Sequence, residues 1–248
     1  MNKETLEKMR LLRLYGMHDA FKTNLESSIK ESLTPDQLIA LLVNSEWDDR
    51  RNKSIGRSIR QANFRYKASL EQLDYNVERG LDKNQVHRLA SLDFIKEHKD
   101  LFITGSTGTG KSYLATALGY HACQMGYKVM YVSTSKLMGM LKLAKAKGTI
   151  LAELKKIERQ DLLILDDFGL QPFDAPARIS LLDIIEDRHE KRSTLITSQI
   201  PVKEWYDIIG EKTIADAVLD RIVHQSLRVE LFGESLRRKK SKQESVYL

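Results

Sequence analysis

The sequence predicts an α/β fold, a parallel sheet flanked by helices with a small helical module in front of it. Three observations carry that reading. A short apolar run, Asp100-Leu101-Phe102-Ile103-Thr104, enters the loop Gly105-Ser106-Thr107-Gly108-Thr109-Gly110-Lys111-Ser112 and leaves it into helically spaced residues from Tyr113 to Met125. A second run, Leu162-Leu163-Ile164-Leu165, has no polar member and ends on Asp166-Asp167, as a strand buried on both faces should. The first 67 residues, by contrast, show helical spacing and no strand signal.

Composition bounds what such a fold does. The 248 residues carry a formal charge of +6, which suits a polyanionic partner, although charges of both signs abound. The single cysteine, Cys123, excludes an internal disulfide framework, fits a reducing compartment and reads as a small packed helix residue. The segment Met1 to Glu7 carries acids and no apolar core, so no secretory signal is expected. No apolar run approaches the ~18 residues that cross a bilayer. A cytoplasmic protein without membrane attachment is the expectation.

In chain order, Leu6, Met9, Leu12 and Leu14 open the helical front, and Ala20, Phe21, Leu25 and Ile29 follow past Gly16. Thr34-Pro35-Asp36-Gln37 starts a further helix, with Thr34 as N-cap, Pro35 in the first turn and Gln37 at the capping-box position. Leu38, Ile39, Leu41 and Leu42 supply its apolar stripe. The end of this module is basic: Arg50, Arg51, Lys53, Arg57, Arg60, Arg65 and Lys67 come with no acid among them, and Phe64 and Tyr66 are interleaved. Contact with DNA phosphates, with aromatic stacking, is one reading; a solvated helix face is the other. Residues 1–67 are thus expected to form a DNA- or partner-binding module, and 68–248 a nucleotide-binding domain. In the bridge between them, Leu73 and Tyr75 are candidates either for an adenine contact or for the core.

The loop 105–112 spells G-x-x-x-x-G-K-[ST], the phosphate-binding P-loop. Glycines let successive backbone N–H groups turn inward around phosphate oxygens. Lys111 places a charge on the β/γ-phosphates, and the Ser112 hydroxyl can ligate Mg²⁺. From Tyr113 the helix directs its N-terminal dipole at the same anion. Gly105, Ser106, Thr107, Gly108, Thr109, Gly110, Lys111, Ser112 and Tyr113 are therefore the expected nucleotide-binding residues, with ATP and Mg²⁺ as cofactors.

Lys128 to Ser133 reads as a second strand and Thr134 to about Lys147 as a helix bearing Lys136, Lys142, Lys145 and Lys147, either a phosphate-contacting or an ordinary solvated face. Leu151, Leu154 and Ile157 mark another amphipathic helix. Asp166, at the carboxyl end of the next strand, fits the Walker B aspartate that holds Mg²⁺, and Asp167 fits a carboxylate that polarises the attacking water. Asp174 to Lys191 is expected as a helix with Ile179, Leu182 and Ile185 inward. Ser193 to Gln199 is a strand with polar residues at the ligand-collecting edge of the sheet. Helices starting at Pro201 and Thr213, a last strand Leu227 to Phe232, and the basic stretch Arg237-Arg238-Lys239-Lys240 follow. The six histidines show no metal-ligand spacing.

Five strands, a P-loop on the first, paired acids on the third and a polar tip on the fourth resemble an AAA+ ATPase. Asp161 to Gly169, Thr194 to Gln199, Ala217 to Ile222 and Gly233-Glu234-Ser235-Leu236-Arg237 narrow the resemblance to IstB-like insertion-sequence helper ATPases, relatives of the helicase loader DnaC. The basic helical front resembles theirs too, so the likeness covers essentially the whole chain. It implies strand order 5-1-4-3-2 and self-assembly on DNA, with duplex DNA as the expected partner; the sixteen residues after Phe232 depart from the pattern, being too few for a full helical lid. It also implies partnership with a transposase and Mg²⁺-dependent ATP hydrolysis that drives disassembly. Position by position, Gln199 matches the γ-phosphate sensor, with Ser198 as fallback. Arg221 matches the arginine finger that reaches a neighbouring subunit, Arg188 is a second candidate, and Arg237 stands where sensor 2 would act. Asp167 departs from the AAA+ pattern, in which most proteins have Glu. A DnaC-type helicase loader is the alternative. A small-molecule kinase lacks its phosphate-gripping arginine lid here, and no N-K-x-D motif follows the P-loop to read guanine.

Overall fold

The computed structural model describes residues 1–26, 33–75 and 79–236. Arg237 and the basic stretch beyond it lie outside the described residues, as does Ile29. The chain divides into two compact units, 1–57 and 58–248.

The first unit holds α1 (Asn2–Leu11), α2 (Tyr15–Glu26) and the greater part of α3 (Pro35–Ala62). The capping box at the start of α3 forms as spelled: Gln37 N–H donates to Thr34 Oγ1 at 3.3 Å, and Thr34 N–H donates to Gln37 Oε1 at 3.0 Å. The α2 and α3 backbones meet at Gly16, where a Cβ would lie 2.3 Å from the Ser45 carbonyl oxygen. That approach brings the Glu46 carboxylate onto the free amides of Gly16 (2.9 Å) and Met17 (3.2 Å), an anion on a helix N-terminus. Burial works against the charge on Glu46, but Arg50 and these two amides outweigh it and hold its carboxyl below the usual range. The boundary between the units falls inside α3, ten residues before the expected one at 67.

In the second unit come α4 (Lys83–Ala90), α5 (Asp93–Lys96), β1 (Leu101–Gly105), α6 (Lys111–Gln124), β2 (Val129–Ser133), α7 (Thr134–Ala146), α8 (Ile150–Glu158) and β3 (Leu162–Phe168). They are followed by α9 (Ala175–Arg188), β4 (Ser193–Ser198), a 3₁₀ turn (Val202–Glu204), α10 (Trp205–Ile209), α11 (Lys212–Val223) and β5 (Leu227–Leu231). The five strands are all parallel in the order β2-β3-β4-β1-β5, the expected 5-1-4-3-2. Side chains alternate across the sheet. Leu101, Ile103, Leu162 and Ile164 pack with α4, α5 and α6, whereas Phe102, Leu163, Leu165 and Ile196 pack with α7 to α11 around Trp205. Cys123 is fully buried on α6, and burial pushes its thiol up to about 12. No described helix is long and apolar enough to cross a membrane.

On α9 the inward face differs from the expected one. Leu181, Ile184 and Ile185 are buried, whereas Ile179 is 48% exposed. The face is completed by a charged residue, Arg188, which apolar spacing cannot register. Arg188 is 1% exposed and donates to the carbonyls of Ile157 (2.8 Å), Gln160 (2.9 Å) and Ser193, and to Thr194 Oγ1 (3.2 Å). It pins α8, α9 and β4 together from inside. That environment rules out Arg188 as the residue reaching a neighbouring subunit, a correction to its candidacy. Replacing it by Met leaves these carbonyls unpaired and is expected to cost about 3 kcal/mol of stability, read as a lowered urea midpoint.

Candidate functional site

The P-loop leaves β1 at the carboxyl edge of the sheet, and its glycines are required by what presses on it from outside. Gly105 has φ +142, and a Cβ there would lie 1.9 Å from the Leu231 carbonyl on β5. At Gly110, with φ +99, a Cβ would lie 2.6 Å from Arg79 Nη1. The loop is fastened through its carbonyls. Thr109 O accepts from Arg79 Nη1 at 3.2 Å, Gly108 O from Leu236 N–H at 3.0 Å, and Ser106 O from Lys111 Nζ at 2.8 Å.

Arg79 is a residue that sequence reasoning missed. It is buried against the loop, its second donor goes to Asp74 O at 2.9 Å, and its Nε has no partner. Burial holds its guanidinium below the ordinary arginine range. Among the adenine candidates, Leu73 is buried in the core, and the Tyr75 ring packs against that core with Lys83 Nζ 5.3 Å from its centroid.

The Asp166 carboxylate is the convergence point. It is 1% exposed and accepts three hydroxyls: Ser112 Oγ at 2.8 Å and Thr197 Oγ1 on Oδ1, and Tyr131 Oη on Oδ2. Ser112 and Asp166 are the expected Mg²⁺ residues, and the structure brings them into contact. Their hard oxygens suit Mg²⁺, which is held by few protein ligands beside phosphate oxygens. Strand β3 breaks register between Leu165 and Phe168, and Asp167 sits in this irregularity with φ +56, its N–H donating to Thr197 Oγ1 at 3.2 Å. Gln199, just past β4, takes a hydrogen bond from Thr107 Oγ1 at 2.6 Å, so sensor candidate and P-loop touch. Ser198 is turned away: it is buried and donates to Phe168 O at 2.7 Å, which removes it as the fallback sensor.

Arg221 stands apart from this group. It donates to Ala217 O at 2.7 Å and pairs with Glu186 at 2.8 Å, beside a cleft of about 200 Å³ lined by His98, Asp100, His189 and Asp220. Asp100 precedes β1 and the P-loop follows it; β1 is five residues long, so this cleft lies roughly 16 Å from the loop. Arg221 therefore cannot act on a nucleotide in its own P-loop.

The basic candidates are surface residues with unequal freedom. Arg51, Arg57, Arg60, Arg65 and Lys67 are exposed, as are Lys136 and Lys145. Arg50 pairs with the buried Glu46 at 2.6 Å, whereas Lys53 pairs with Asp49 at 2.7 Å and Lys142 with Asp174 at 3.3 Å, surface contacts weak enough to exchange for phosphates. The interleaved aromatics are not exposed for stacking on bases. Phe64 lies between Tyr120 and Tyr131, and Tyr66 stacks on Tyr113 at 6.2 Å.

Known proteins resemble this chain in sequence and in fold. The sequence model of the family described as IstB-like ATP binding protein matches residues 7–244. The insertion sequence ATP-binding protein y4pL of Sinorhizobium fredii is 42% identical over 234 residues, covering 94% of this chain and 96% of that one. The IS21 ATP-binding protein of Pseudomonas aeruginosa is 29% identical over 90% of this chain and 84% of its own. Among solved structures, DnaI aligns with TM-score 0.57 at 25% identity over 66% of this chain and 91% of its own. AMPPCP-bound DnaA from Aquifex aeolicus aligns with TM-score 0.56 at 24% identity, over 75% of this chain and 57% of its own, and shares the fold.

The cradle makes a direct prediction. Gly110→Ala forces a side chain into a left-handed backbone and against Arg79, a strain of about 1–3 kcal/mol. Lower thermal stability and weaker binding of a fluorescent ATP analogue are expected together.

Proposed function

This chain belongs to the IstB-like ATP-binding proteins, and from that membership we propose that it is an ATP-dependent helper of insertion-sequence transposition. In its ATP-bound form it assembles on duplex target DNA, remodels that DNA and recruits or stimulates the transposase; hydrolysis dismantles the assembly. One observation carries the reading: Lys111, Ser112, Asp166, Asp167 and Gln199 come from three strand ends to a single edge, while Arg221 lies a strand length away. A site complete except for a distant arginine is what subunits stacked head to tail would need.

The residues divide the work. Amides of Gly105 to Tyr113 receive the phosphates, and Lys111 neutralises the β/γ-oxygens. Ser112 and Asp166 would hold Mg²⁺, which would supply positive charge against the charge that builds on the phosphates. Asp167 orients and deprotonates the attacking water, and Gln199 reads the γ-phosphate. Arg221 leaves Glu186 and serves the site of the next copy. Exposed arginines from Arg51 to Arg65, with Lys67 and the lysines of α7, contact backbone phosphates, giving little sequence preference and a steep salt dependence. The second reading is a helicase loader; the likeness to the DnaC helicase loader (TM-score 0.50, 20% identity) concerns the fold alone and does not favour that role.

Imaging the protein with ATP and Mg²⁺ on linear duplex and on single strands tests the proposal. Regular assemblies on duplex are expected, and Asp167→Asn should bind ATP yet leave them long-lived. A chain that stays monomeric on duplex, or that prefers single strands and a helicase, contradicts it. Arg221→Ala is expected to lower ATP turnover at least tenfold in assemblies while leaving nucleotide affinity of the dilute monomer unchanged, on the scale seen for arginine fingers (~10³-fold or more). Equal turnover by assembled mutant and wild type would remove the trans role.

A further inference from the structure

We propose that Tyr131 is the positioning residue that fixes the metal-facing carboxylate of Asp166, and that Phe64 locks Tyr131 in place. The inference rests on the Mg²⁺-ATP reading of the site and deepens it.

The two carboxylate oxygens of Asp166 have different neighbours. Oδ1 accepts from Thr197 Oγ1 and, at 2.8 Å, from Ser112 Oγ, the loop hydroxyl placed to bind the metal, so Oδ1 faces the metal side. On Oδ2 the hydroxyl donor among the described residues is Tyr131, from the edge strand β2. A carboxylate rotates about its Cβ–Cγ bond, and an O–H donor on the rear oxygen stops that rotation with the front oxygen presented. Outer partners of metal-holding carboxylates commonly work this way.

A phenol can hold such a position only if its ring cannot swing. Tyr131 is 5% exposed, and the Phe64 ring lies against it at 6.1 Å between centroids, with Tyr120 on the other side of Phe64 at 6.2 Å. The P-loop helix makes room for this ring by lacking a side chain at Gly119. A Cβ there would lie 2.8 Å from Phe64 Cε1 and 2.6 Å from Ile164 Cδ1.

The test separates metal from nucleotide. Affinity for a fluorescent ATP analogue is measured in EDTA and in saturating Mg²⁺ for wild type, Tyr131→Phe and Phe64→Leu. In wild type the metal tightens binding, and the ratio of the two constants is the metal's contribution. Tyr131→Phe keeps the ring and the EDTA affinity but is expected to cut that ratio about tenfold. Phe64→Leu, which keeps the hydroxyl and loosens its seat, should cut it by a smaller factor. An unchanged ratio in Tyr131→Phe overturns the inference while leaving the Mg²⁺-ATP reading intact. An equal loss in both arms also overturns it, because support of the fold alone would weaken binding regardless of metal. If wild type itself shows no metal effect, the Mg²⁺-ATP reading falls and takes this inference with it.

Discussion

The buried carboxylate of Asp166 is the constraint on which the rest of the nucleotide edge depends. An ionised carboxylate taken out of water is costly unless hydrogen bonds replace its solvation. Here three hydroxyls do so, from α6, β2 and β4, and Thr134 on α7 adds a bond to the Asp166 carbonyl at 3.1 Å. Satisfying one acid therefore fixes the relative height of three strands and two helices. The same arrangement places a serine, a threonine and a second acid within reach of one point, which is what phosphate chemistry requires.

The phosphate loop is built on the opposite principle. It is held from behind, through carbonyls, by Arg79, Lys111 and the Leu236 amide. Glycine is demanded because the neighbours come too close for any side chain, as Leu231 does at Gly105. The loop is thus shaped before a ligand arrives, and little ordering entropy remains to be lost on binding.

How much of this was legible in the sequence follows from the range of each interaction. The P-loop and the paired acids are spelled locally, because backbone curvature and strand burial act over a few residues. Strand order came through the resemblance and stands. Long-range partners left no local trace: Tyr131 reads as one more apolar strand residue, and Arg79 as a charge in a bridge. Arg188 looked like a surface arginine because spacing cannot see the carbonyls that enclose it. Phe64 and Tyr66 looked like stacking residues because basic neighbours surround them, yet their rings pack beside the P-loop helix. Ser198 differs from Gln199 by one position, yet Ser198 is the buried last residue of β4 and Gln199 lies just past the strand, against the P-loop.

The left-handed backbone at Asp167 has a consequence for which acid can stand there. Short polar side chains that bond to nearby backbone tolerate this conformation, and longer ones fit it less well. A glutamate would reach further from the same backbone, and this chain does hold one in that conformation at Glu190, φ +57, but aspartate adopts it at less cost. At position 167 the chain thus exchanges reach for conformational fit, so a torsion angle has a share in choosing the acid.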